Sequence, residues 1–442
     1  MLSTYDLGRQ PFGLASPTAW LRRAGVEVVP LDLSRQRLDQ GLVARATLVA
    51  LYLPMHTATR LALPVIERVR AINPLARICA YGLYAPLNAD LLHDHGVTAV
   101  LGPEFEEDLV ALATGAAVPA TPARLPRLRF IAPERGDLPP PDRYATVQMP
   151  DGTRRIAGAV DASRGCKHRC RHCPIVPVYG GQFRVVPAEV VLADIGAQVE
   201  RGAEHITFAD PDFLNGPSHA RRIVERLHEA WPALTYDVTI KVEHLLRHRD
   251  VLPILSRTGC LVVTSAVEAV DDGILARLEK GHTRADVIEA VRACRNAGVT
   301  LAPTFVAFTP WTTVDGYRDL LDTVDTLDLV GHVAPVQWGI RLLVTWQSRL
   351  LELPDVRRIA GTFDSRTLTY PWRHPDRRVD ELQAAVMREA GDSLSRSRHD
   401  VFDAVRRHAC STGGDSRLPP SRDDRPRASR ATIPYLDEPW YC

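Results

Sequence analysis

Apolar and polar residues alternate along the first 118 residues in two patterns: short apolar runs, and longer stretches with apolar residues three or four positions apart. The runs predict buried strands and the stretches predict helices. The predicted strands cover residues 25–31, 47–53, 77–81 and 98–101, and the predicted helices cover residues 14–24, 57–72, 87–95 and 104–112. This alternation is typical of a parallel, doubly wound sheet. We therefore predict an open Rossmann-like domain over residues 1–118.

A second series of strands and helices begins near residue 156. Six β-like runs recur at intervals of about thirty-five residues, and each is followed by a helical stretch, which is the period of a β/α unit. The runs cover residues 156–162, 205–209, 235–241, 260–268, 300–308 and 333–342. The sequence therefore predicts an α/β chain in which a partial (β/α)6 TIM-type barrel, residues 156–345, follows the first domain.

Three further segments complete the predicted organisation. Residues 119–155 contain eight prolines, which predicts a semi-rigid linker between the two domains. Apolar residues within 346–410 are spaced for one helical face, so this region is predicted to be a helical extension. Residues 411–430 are rich in Ser, Pro, Asp and Arg, which predicts a disordered linker, and with the segment that follows they form a predicted disordered linker and aromatic tail over 411–442.

Composition narrows the class of protein. The chain has 442 residues, 45% of them hydrophobic and 24% charged, with a formal net charge of +1. A charge this small gives no general attraction to nucleic acid or to a membrane surface, so neither is expected as a partner. The N-terminus lacks the apolar core of a signal peptide, and the eight cysteines do not form a disulfide framework. We therefore expect a cytoplasmic protein.

Three cysteines lie within eight residues, at Cys166, Cys170 and Cys173. Thiolates at this C-x3-C-x2-C spacing favour zinc or an iron–sulfur cluster over hard cations. His168 and His172 lie in the same segment and keep a zinc site open as an alternative. No second cysteine pair follows to complete a four-ligand zinc site, which favours a cluster with one metal position free.

Polar residues follow the predicted barrel strands at the points where the strands end. Sites in such barrels lie at the carboxyl ends of the strands. The candidate site residues there, besides the cysteines, are Asp210 and Asp212 after the second strand, Lys241 after the third, Glu268 after the fourth and Arg341 in the sixth.

The cysteine segment and the six β/α units resemble the radical S-adenosylmethionine (SAM) enzymes. This resemblance implies that Cys166, Cys170 and Cys173 hold a [4Fe–4S] cluster whose fourth iron chelates the methionine end of SAM. An electron from the cluster would then release a 5′-deoxyadenosyl radical. It also implies a reductant such as flavodoxin or ferredoxin as a partner.

The resemblance extends to individual residues of the barrel. Residues 262–283 resemble the fourth strand of the family and the helix after it, which implies that Ser265 and Glu268 contact the ribose or amino-acid part of SAM. The family's second strand usually ends in Gly-Gly-Glu, whereas this chain has Asp210-Pro211-Asp212. One of these two aspartates would therefore hold the SAM ammonium. Lys241 and Arg341 remain candidates for contact with SAM or substrate.

The first domain lacks the G-x-G-x-x-G turn of dinucleotide-binding folds, which argues against NAD. Residues 8–34 resemble the cobalamin-binding-type domain that precedes the barrel in many radical SAM proteins. The chain lacks the D-x-H-x-x-G motif whose histidine ligates cobalt in part of that family, although other members hold the corrin without it. Cobalamin is therefore a further candidate cofactor, and His56 is a candidate for lining its site.

The last ten residues, 433–442, contain two tyrosines, a tryptophan and the terminal Cys442, which predicts a docked segment rather than a free tail. This ending resembles that of radical SAM proteins whose chains finish Cys-Cys-Ala-Glu-Pro or Cys-selenocysteine-Ala-Glu-Pro. The resemblance leads to the hypothesis that the reading frame stops after Cys442 at a selenocysteine codon.

Three functional hypotheses follow from the sequence. The first is a radical SAM enzyme acting on an unknown substrate. The second is a cobalamin-dependent radical SAM methyltransferase, and the third is a non-catalytic zinc-binding module.

Overall fold

A computed structural model of the chain describes residues 1–116, 125–391, 396–413 and 431–437. Two predictions fall outside these residues: disorder over most of 411–430, and a selenocysteine-codon stop after Cys442. Within the described part of the chain, no helix combines the length and the apolar character needed to span a membrane.

Five parallel strands form the N-terminal sheet. From one edge to the other they are Leu31–Asp32, Leu2–Ser3, Leu48–Tyr52, Arg77–Tyr81 and Ala99–Leu101. The helices of this region are Phe12–Arg23, Gln40–Arg45, His56–Ile72, Tyr84–Leu87, Ala89–Asp94 and Glu106–Ala113. This strand order reverses direction beside the first strand, as in doubly wound folds.

Two strands of this sheet differ from the prediction. The strand Leu2–Ser3 was not predicted, because two residues are too few to show a periodic pattern. The predicted strand over residues 25–31 is wrong except at its end, since only Leu31–Asp32 pairs with the sheet. Pro30 has no backbone N–H to donate, and Val29 is exposed, so this apolar run lies along the edge of the domain.

Seven strands form the second sheet. In spatial order they are Leu301–Phe305, Cys260–Glu268, Thr235–Thr239, His205–Phe208, Arg154–Val160, Thr146–Gln148 and Tyr435–Leu436. The first five are parallel and the last two are antiparallel additions. The helices between and after them are Ile175–Tyr179, Ala188–Val199, Pro217–Ala230, Val242–Arg247, Leu252–Arg257, Asp272–Arg277, Arg284–Asn296 and Val314–Thr326.

The predicted sixth barrel strand, residues 333–342, is not formed. Residues Pro335–Trp338 make a short 3-10 helix, and one isolated bridge, between Phe308 and Arg341, continues the sheet. Pro335 cannot donate to a strand ladder, and the Trp338 side chain is fully buried beside Phe402. The apolar pattern of this segment therefore reflects burial against the helical extension rather than a strand.

The C-terminal region consists of helices and a docked segment. Its helices, which lie within the predicted helical extension or just past its end, are Pro354–Ile359, Arg377–Gly391 and Arg398–Thr412. The described part of the tail is docked, because Tyr435–Leu436 pairs with Thr146–Gln148. The carboxylate of Asp437 accepts hydrogen bonds of 2.8 Å from the backbone N–H and from the hydroxyl of Thr146.

A buried ion pair joins the segment before the large sheet to the rest of the molecule. The Arg135 guanidinium donates to both carboxylate oxygens of Asp194, at 2.6 and 2.8 Å, and to the backbone carbonyl of Ala159 at 2.9 Å. It also donates to the Gln10 side chain at 3.1 Å. Because both charged side chains are almost fully buried, each depends on the other for compensation.

Replacing Arg135 by methionine is expected to lower the free energy of unfolding by about 3–5 kcal/mol, because Asp194 would remain buried without its partner. Urea unfolding followed by tryptophan fluorescence measures this change. The control is Arg22→Met, which breaks exposed ion pairs with Glu134 and Asp137 and is expected to cost less than about 1 kcal/mol. Equal losses in the two variants would contradict the prediction.

Candidate functional site

The cysteine loop, residues 166–173, leaves the short strand Ser163–Gly165 and ends just before the helix Ile175–Tyr179. Loops from two other units hold its backbone. The Asn215 side chain accepts from Lys167 N–H at 3.2 Å and donates to the Gly165 carbonyl at 3.3 Å. The Arg171 N–H donates to the Leu278 carbonyl at 2.8 Å. The turns after the second and fourth parallel strands therefore shape the loop.

Gly165 is required at the start of this loop. Its φ angle of +77° is a conformation that favours glycine, and an added Cβ would lie 2.4 Å from the Tyr179 ring. The Tyr179 hydroxyl donates to Glu104 at 2.8 Å, which fixes that ring against the N-terminal domain. A larger residue at position 165 would therefore displace the loop or the ring.

The thiols of the loop are free and partly shielded. Cys170 is buried, while Cys166 and Cys173 are half-buried. Burial raises the pKa of the Cys166 thiol to about 11 and that of Cys173 to about 12, and the neighbouring loop thiols add to both shifts. A bound cation would reverse these shifts, because ligating thiols are deprotonated.

The spacing of the three sulfurs bears on the zinc alternative. Among the described residues, one set of three His, Cys, Asp or Glu side chains has its ligand atoms all within 4.8 Å of one another. The three loop cysteines are not that set. Three thiolates on one tetrahedral zinc, at Zn–S distances near 2.3 Å, would place their sulfurs about 3.8 Å apart. At least one pair of the loop sulfurs is therefore farther apart than a single zinc ion needs.

Arg164 attaches the base of the loop to the N-terminal domain. Its guanidinium donates to both carboxylate oxygens of Glu106, at 2.6 and 3.1 Å. It also lies over the rings of Phe12 and Phe130, each at 4.9 Å from the ring centroid. The arginine is buried, and these carboxylates and aromatic faces replace its hydration.

Glu268 lies at the end of the fourth parallel strand, close to the loop. Its Oε1 is 3.2 Å from His172 Nε2 and 3.2 Å from Lys280 Nζ. Burial alone would raise the pKa of this carboxyl, but Lys280 and His172 outweigh burial and hold that pKa at about 2. Its φ of +70° is rare for a residue with a Cβ, and such conformations cluster at functional sites.

Lys280 belongs to the site although it was not predicted. It is only 3% exposed, and burial alone would lower its pKa, but Glu268 and the thiols of Cys170 and Cys173 raise that pKa. The chain therefore places a buried cation beside the cysteine loop. Its position in the sequence, twelve residues after a strand-end glutamate and between two helices, carries no signal of burial.

The two aspartates after the second strand differ in their surroundings. Asp210 accepts from the Ala162 N–H at 2.9 Å and from the Ser163 hydroxyl at 2.6 Å, so it holds the chain that leads into the loop. Asp212 instead faces two imidazoles: its Oδ2 lies 3.2 Å from His168 Nε2 and 2.6 Å from His244 Nδ1.

Lys241 and Glu243 lie beside these imidazoles. The Lys241 ammonium is 3.2 Å from His168 Nδ1 and 3.2 Å from Glu243 Oε2. The same Glu243 oxygen is 3.6 Å from His168 Nδ1. Two predicted residues, Asp212 and Lys241, are thus brought together, and His168 and His244 join them.

Three predicted residues lie elsewhere. Ser265 is fully buried and alternates along its strand with Thr264, which lines the lumen, so its side chain points to the opposite face. Arg341 binds Asp380 and the Trp372 carbonyl and covers the Trp372 ring, which ties it to the helical extension. His56 Nε2 contacts the Thr367 carbonyl at 2.7 Å.

Two cavities border these elements. One, of about 220 Å³, lies between the N-terminal sheet and the start of the cysteine loop, and Asp6, Arg9, Tyr52, Asp161 and Arg164 are among its lining residues. The other, of about 370 Å³, runs from the starts of the parallel strands into the lumen. Its walls include the His205–Asp237 pair and the docked tail segment, so it begins at the end of the sheet opposite the cysteine loop.

Comparison with known proteins identifies the central part of the chain. Residues 160–326 match the sequence profile of the Radical SAM superfamily. The hopanoid C-3 methylase of Methylococcus capsulatus is 26% identical over 160 residues, which are 36% of this chain and 30% of that enzyme. The chain therefore spans less than a third of the length of this curated relative.

Solved structures show a similar fold over more of the chain. OxsB, a cobalamin-dependent S-adenosylmethionine radical enzyme with aqua-cobalamin bound, matches with a TM-score of 0.71 at 14% identity, over 91% of this chain and 69% of that chain. The radical S-adenosylmethionine methyltransferase TsrM from Kitasatospora setae, with cobalamin and a [4Fe–4S] cluster bound, gives 0.57 at 19% identity, over 72% and 68%. These matches confirm an α/β half-barrel with a curled, mostly parallel sheet.

Replacing Lys280 by methionine is expected to lower the free energy of unfolding by about 3–5 kcal/mol, because the Glu268 carboxylate would remain buried with one partner fewer. Adding Glu268→Gln to this variant is expected to recover part of the loss. The free energy of unfolding lost by the double variant should therefore be about 1–3 kcal/mol smaller than the sum of the losses of the two single variants. Urea unfolding of the cluster-free protein measures all three variants.

The control for this cycle is the exposed pair Arg377–Glu381, for which we expect no measurable coupling. Additive losses at Lys280 and Glu268 would show that their contact does not stabilise the fold.

Proposed function

We propose that this chain, which carries a Radical SAM domain in a half-barrel fold, is an enzyme that cleaves SAM reductively and acts on a substrate through the resulting radical. The observation that carries this proposal is the position of the cysteine loop. It lies at the carboxyl end of the first parallel strand, inside the region that matches the superfamily profile.

The residues of the loop fit the cluster that the superfamily uses. Cys166, Cys170 and Cys173 supply three thiolates, which is one fewer than a [4Fe–4S] cluster has irons, so one iron is left for SAM. When bound, the cluster would supply the electron that cleaves SAM. The separation of the sulfurs argues against the zinc-binding module.

We place the methionine end of SAM near Glu268 and Lys280. These two side chains offer an anion and a cation at the same strand end, which suits the ammonium and the carboxylate of an amino acid. Asp210 already accepts two hydrogen bonds from residues 162 and 163, and Asp212 faces two histidines. Both contacts of Glu268 are made by Oε1, which leaves Oε2 for the ammonium, so we favour Glu268 over the two aspartates.

The side chains around the loop also limit access by water. Arg171 binds Glu279 and Glu352, and Arg349 donates to the Arg169 carbonyl at 2.6 Å. Residues 349–352 thus cover the outer side of the loop. Excluding water protects a reactive radical from side reactions. A small one-electron donor such as flavodoxin or ferredoxin is the proposed reductant.

Methyl transfer with cobalamin is a second candidate function. The likeness to OxsB covers 91% of this chain and therefore includes most of the N-terminal domain. The cavity next to that domain measures about 220 Å³, which is below the 300–1,000 Å³ of sites for drug-sized ligands. The cavity is partly open to solvent, so a corrinoid would lie only partly within it.

After anaerobic reconstitution with iron and sulfide, the wild-type protein is expected to bind a [4Fe–4S] cluster and to form 5′-deoxyadenosine from SAM and dithionite. Cys170→Ala should lose both the cluster absorbance and the product, because two thiolates hold the cluster too weakly. Chromatography of the quenched reaction measures 5′-deoxyadenosine. The control is Cys410→Ala, in the helix Arg398–Thr412, which should retain both. Product formation by Cys170→Ala would contradict the proposal.

If methyl transfer is the function, protein purified anaerobically with excess hydroxocobalamin should retain about one corrinoid per chain after gel filtration, measured by its visible absorbance. Arg164→Met should change this retention, since the arginine lines the cavity and anchors the domain. If no corrinoid binds but 5′-deoxyadenosine forms, reductive cleavage of SAM remains the proposed function and cobalamin-dependent methyl transfer is excluded.

A further inference from the structure

We propose that His168, Asp212 and His244 bind one divalent transition-metal ion, at a site separate from the three cysteine sulfurs. Within the described part of the chain, these are the three metal-ligating side chains whose ligand atoms all lie within 4.8 Å of one another. They come from three different elements: the cysteine loop, the turn after the second parallel strand, and the helix Val242–Arg247 after the third. The inference goes beyond the proposed radical chemistry.

The distances between the three groups suit a shared ion. His168 Nε2 lies 3.2 Å from Asp212 Oδ2 and 3.2 Å from His244 Nε2. His244 Nδ1 lies 2.6 Å from the same Asp212 oxygen. Ligands at the Zn–N distance of 2.0–2.1 Å from a tetrahedral ion would lie about 3.3 Å apart. A single ion takes one nitrogen of His244, and one ligand atom from each of the three residues lies within 4.8 Å of the others, so small side-chain shifts would bring the three to that separation.

Two of these atoms are buried without a properly directed hydrogen bond. Asp212 is 1% exposed and His244 is fully buried, yet neither Asp212 Oδ2 nor His244 Nδ1 has a hydrogen-bond partner of acceptable geometry. They are close to each other, but their directions do not form a bond between them. A buried carboxylate oxygen without a hydrogen bond is costly, and a cation between it and the imidazoles would remove that cost.

Two charged side chains surround the other ring nitrogen of His168. This nitrogen, Nδ1, lies 3.2 Å from the Lys241 ammonium and 3.6 Å from the Glu243 carboxylate. Histidine ligands commonly direct their second ring nitrogen toward a carboxylate, which orients the ring and leaves the first nitrogen free to bind metal. Lys241 pairs with Glu243 at 3.2 Å and balances its charge.

The ligand set indicates the class of ion. Two imidazoles and one carboxylate suit Zn²⁺ or Fe²⁺ and leave further coordination positions open, whereas Mg²⁺ and Ca²⁺ prefer sites made of oxygens. The cysteine loop contributes its imidazole and none of its thiols to this set. This assignment gives Asp212 a metal as its partner in place of the predicted SAM ammonium.

The experiment uses the full chain with Cys166, Cys170 and Cys173 all replaced by alanine, so that no iron–sulfur cluster forms. Anaerobic titration with Co²⁺, followed by its visible d–d absorbance and by calorimetry, should show one bound ion per chain. Adding His244→Ala or Asp212→Asn should weaken binding by more than about 100-fold, which exceeds the loss caused by removing a supporting residue alone. Circular dichroism checks that each variant is folded.

His248→Ala is the matched control, because the His248 ring lies 5.5 Å from the His244 ring and is not one of the three ligands. It should bind Co²⁺ like the parent. Failure of the cysteine-free chain to bind Co²⁺ at millimolar concentration, or equal binding after His244→Ala, would overturn the proposal. Since this chain cannot form the cluster, the result is independent of whether the proposed SAM cleavage is correct.

If the cysteine-free chain does not fold, elemental analysis of the reconstituted enzyme replaces the titration. Zinc added in slight excess and then removed by gel filtration should leave one equivalent in wild type and in His248→Ala. The same treatment should leave none in His244→Ala, with iron unchanged in all three. Equal zinc in the three proteins would overturn the assignment.

Discussion

The carboxylate of Asp210 fixes the chain at the point where it leaves the first parallel strand, and the geometry of the site depends on this contact. One oxygen accepts the Ala162 N–H and the other accepts the Ser163 hydroxyl, so two successive residues are held from the neighbouring strand. The next residue, Arg164, is held from the other side by Glu106 of the N-terminal domain. The cysteine loop therefore begins from a point that is fixed by both domains.

The charges around the loop are compensated in pairs. Glu268 is matched by Lys280 and His172, and Arg171 by Glu279 and Glu352. Burying these charged side chains without partners would cost free energy, whereas paired side chains can be buried and still offer charged groups to a ligand. A polar ligand such as SAM can then exchange with these pairs without leaving a bare charge behind.

The two edges of the large sheet are finished differently. Beyond Leu301–Phe305 the sheet continues through one isolated bridge, and the 3-10 helix Pro335–Trp338 packs there against the helical extension. The opposite edge is lengthened by two antiparallel strands, the last of which comes from the tail. The tail thus covers an edge that would otherwise expose unpaired backbone groups. Since it also lines the larger cavity, it closes the end of the lumen remote from the cysteines.

The sequence by itself determined the class of fold and predicted which thiols would be the metal ligands. Alternating apolar runs specified five of the six barrel strands and most of the N-terminal sheet, because buried parallel strands are nearly continuous apolar segments. The cysteine spacing predicted a metal-binding loop, since three thiols so close in sequence need no long-range contact to share one loop.

Only the tertiary structure decided which polar residues share a site, because contacts between strand ends depend on register and side-chain direction rather than on sequence position. Lys280 joins the site from the segment between the helices Asp272–Arg277 and Arg284–Asn296, and His244 joins it from the helix Val242–Arg247. Ser265 lies on a strand whose alternation turns its side chain to the other face. The apolar pattern of residues 333–342 could not show whether it was buried as a strand or beneath a helix, and packing around Trp338 settled that choice.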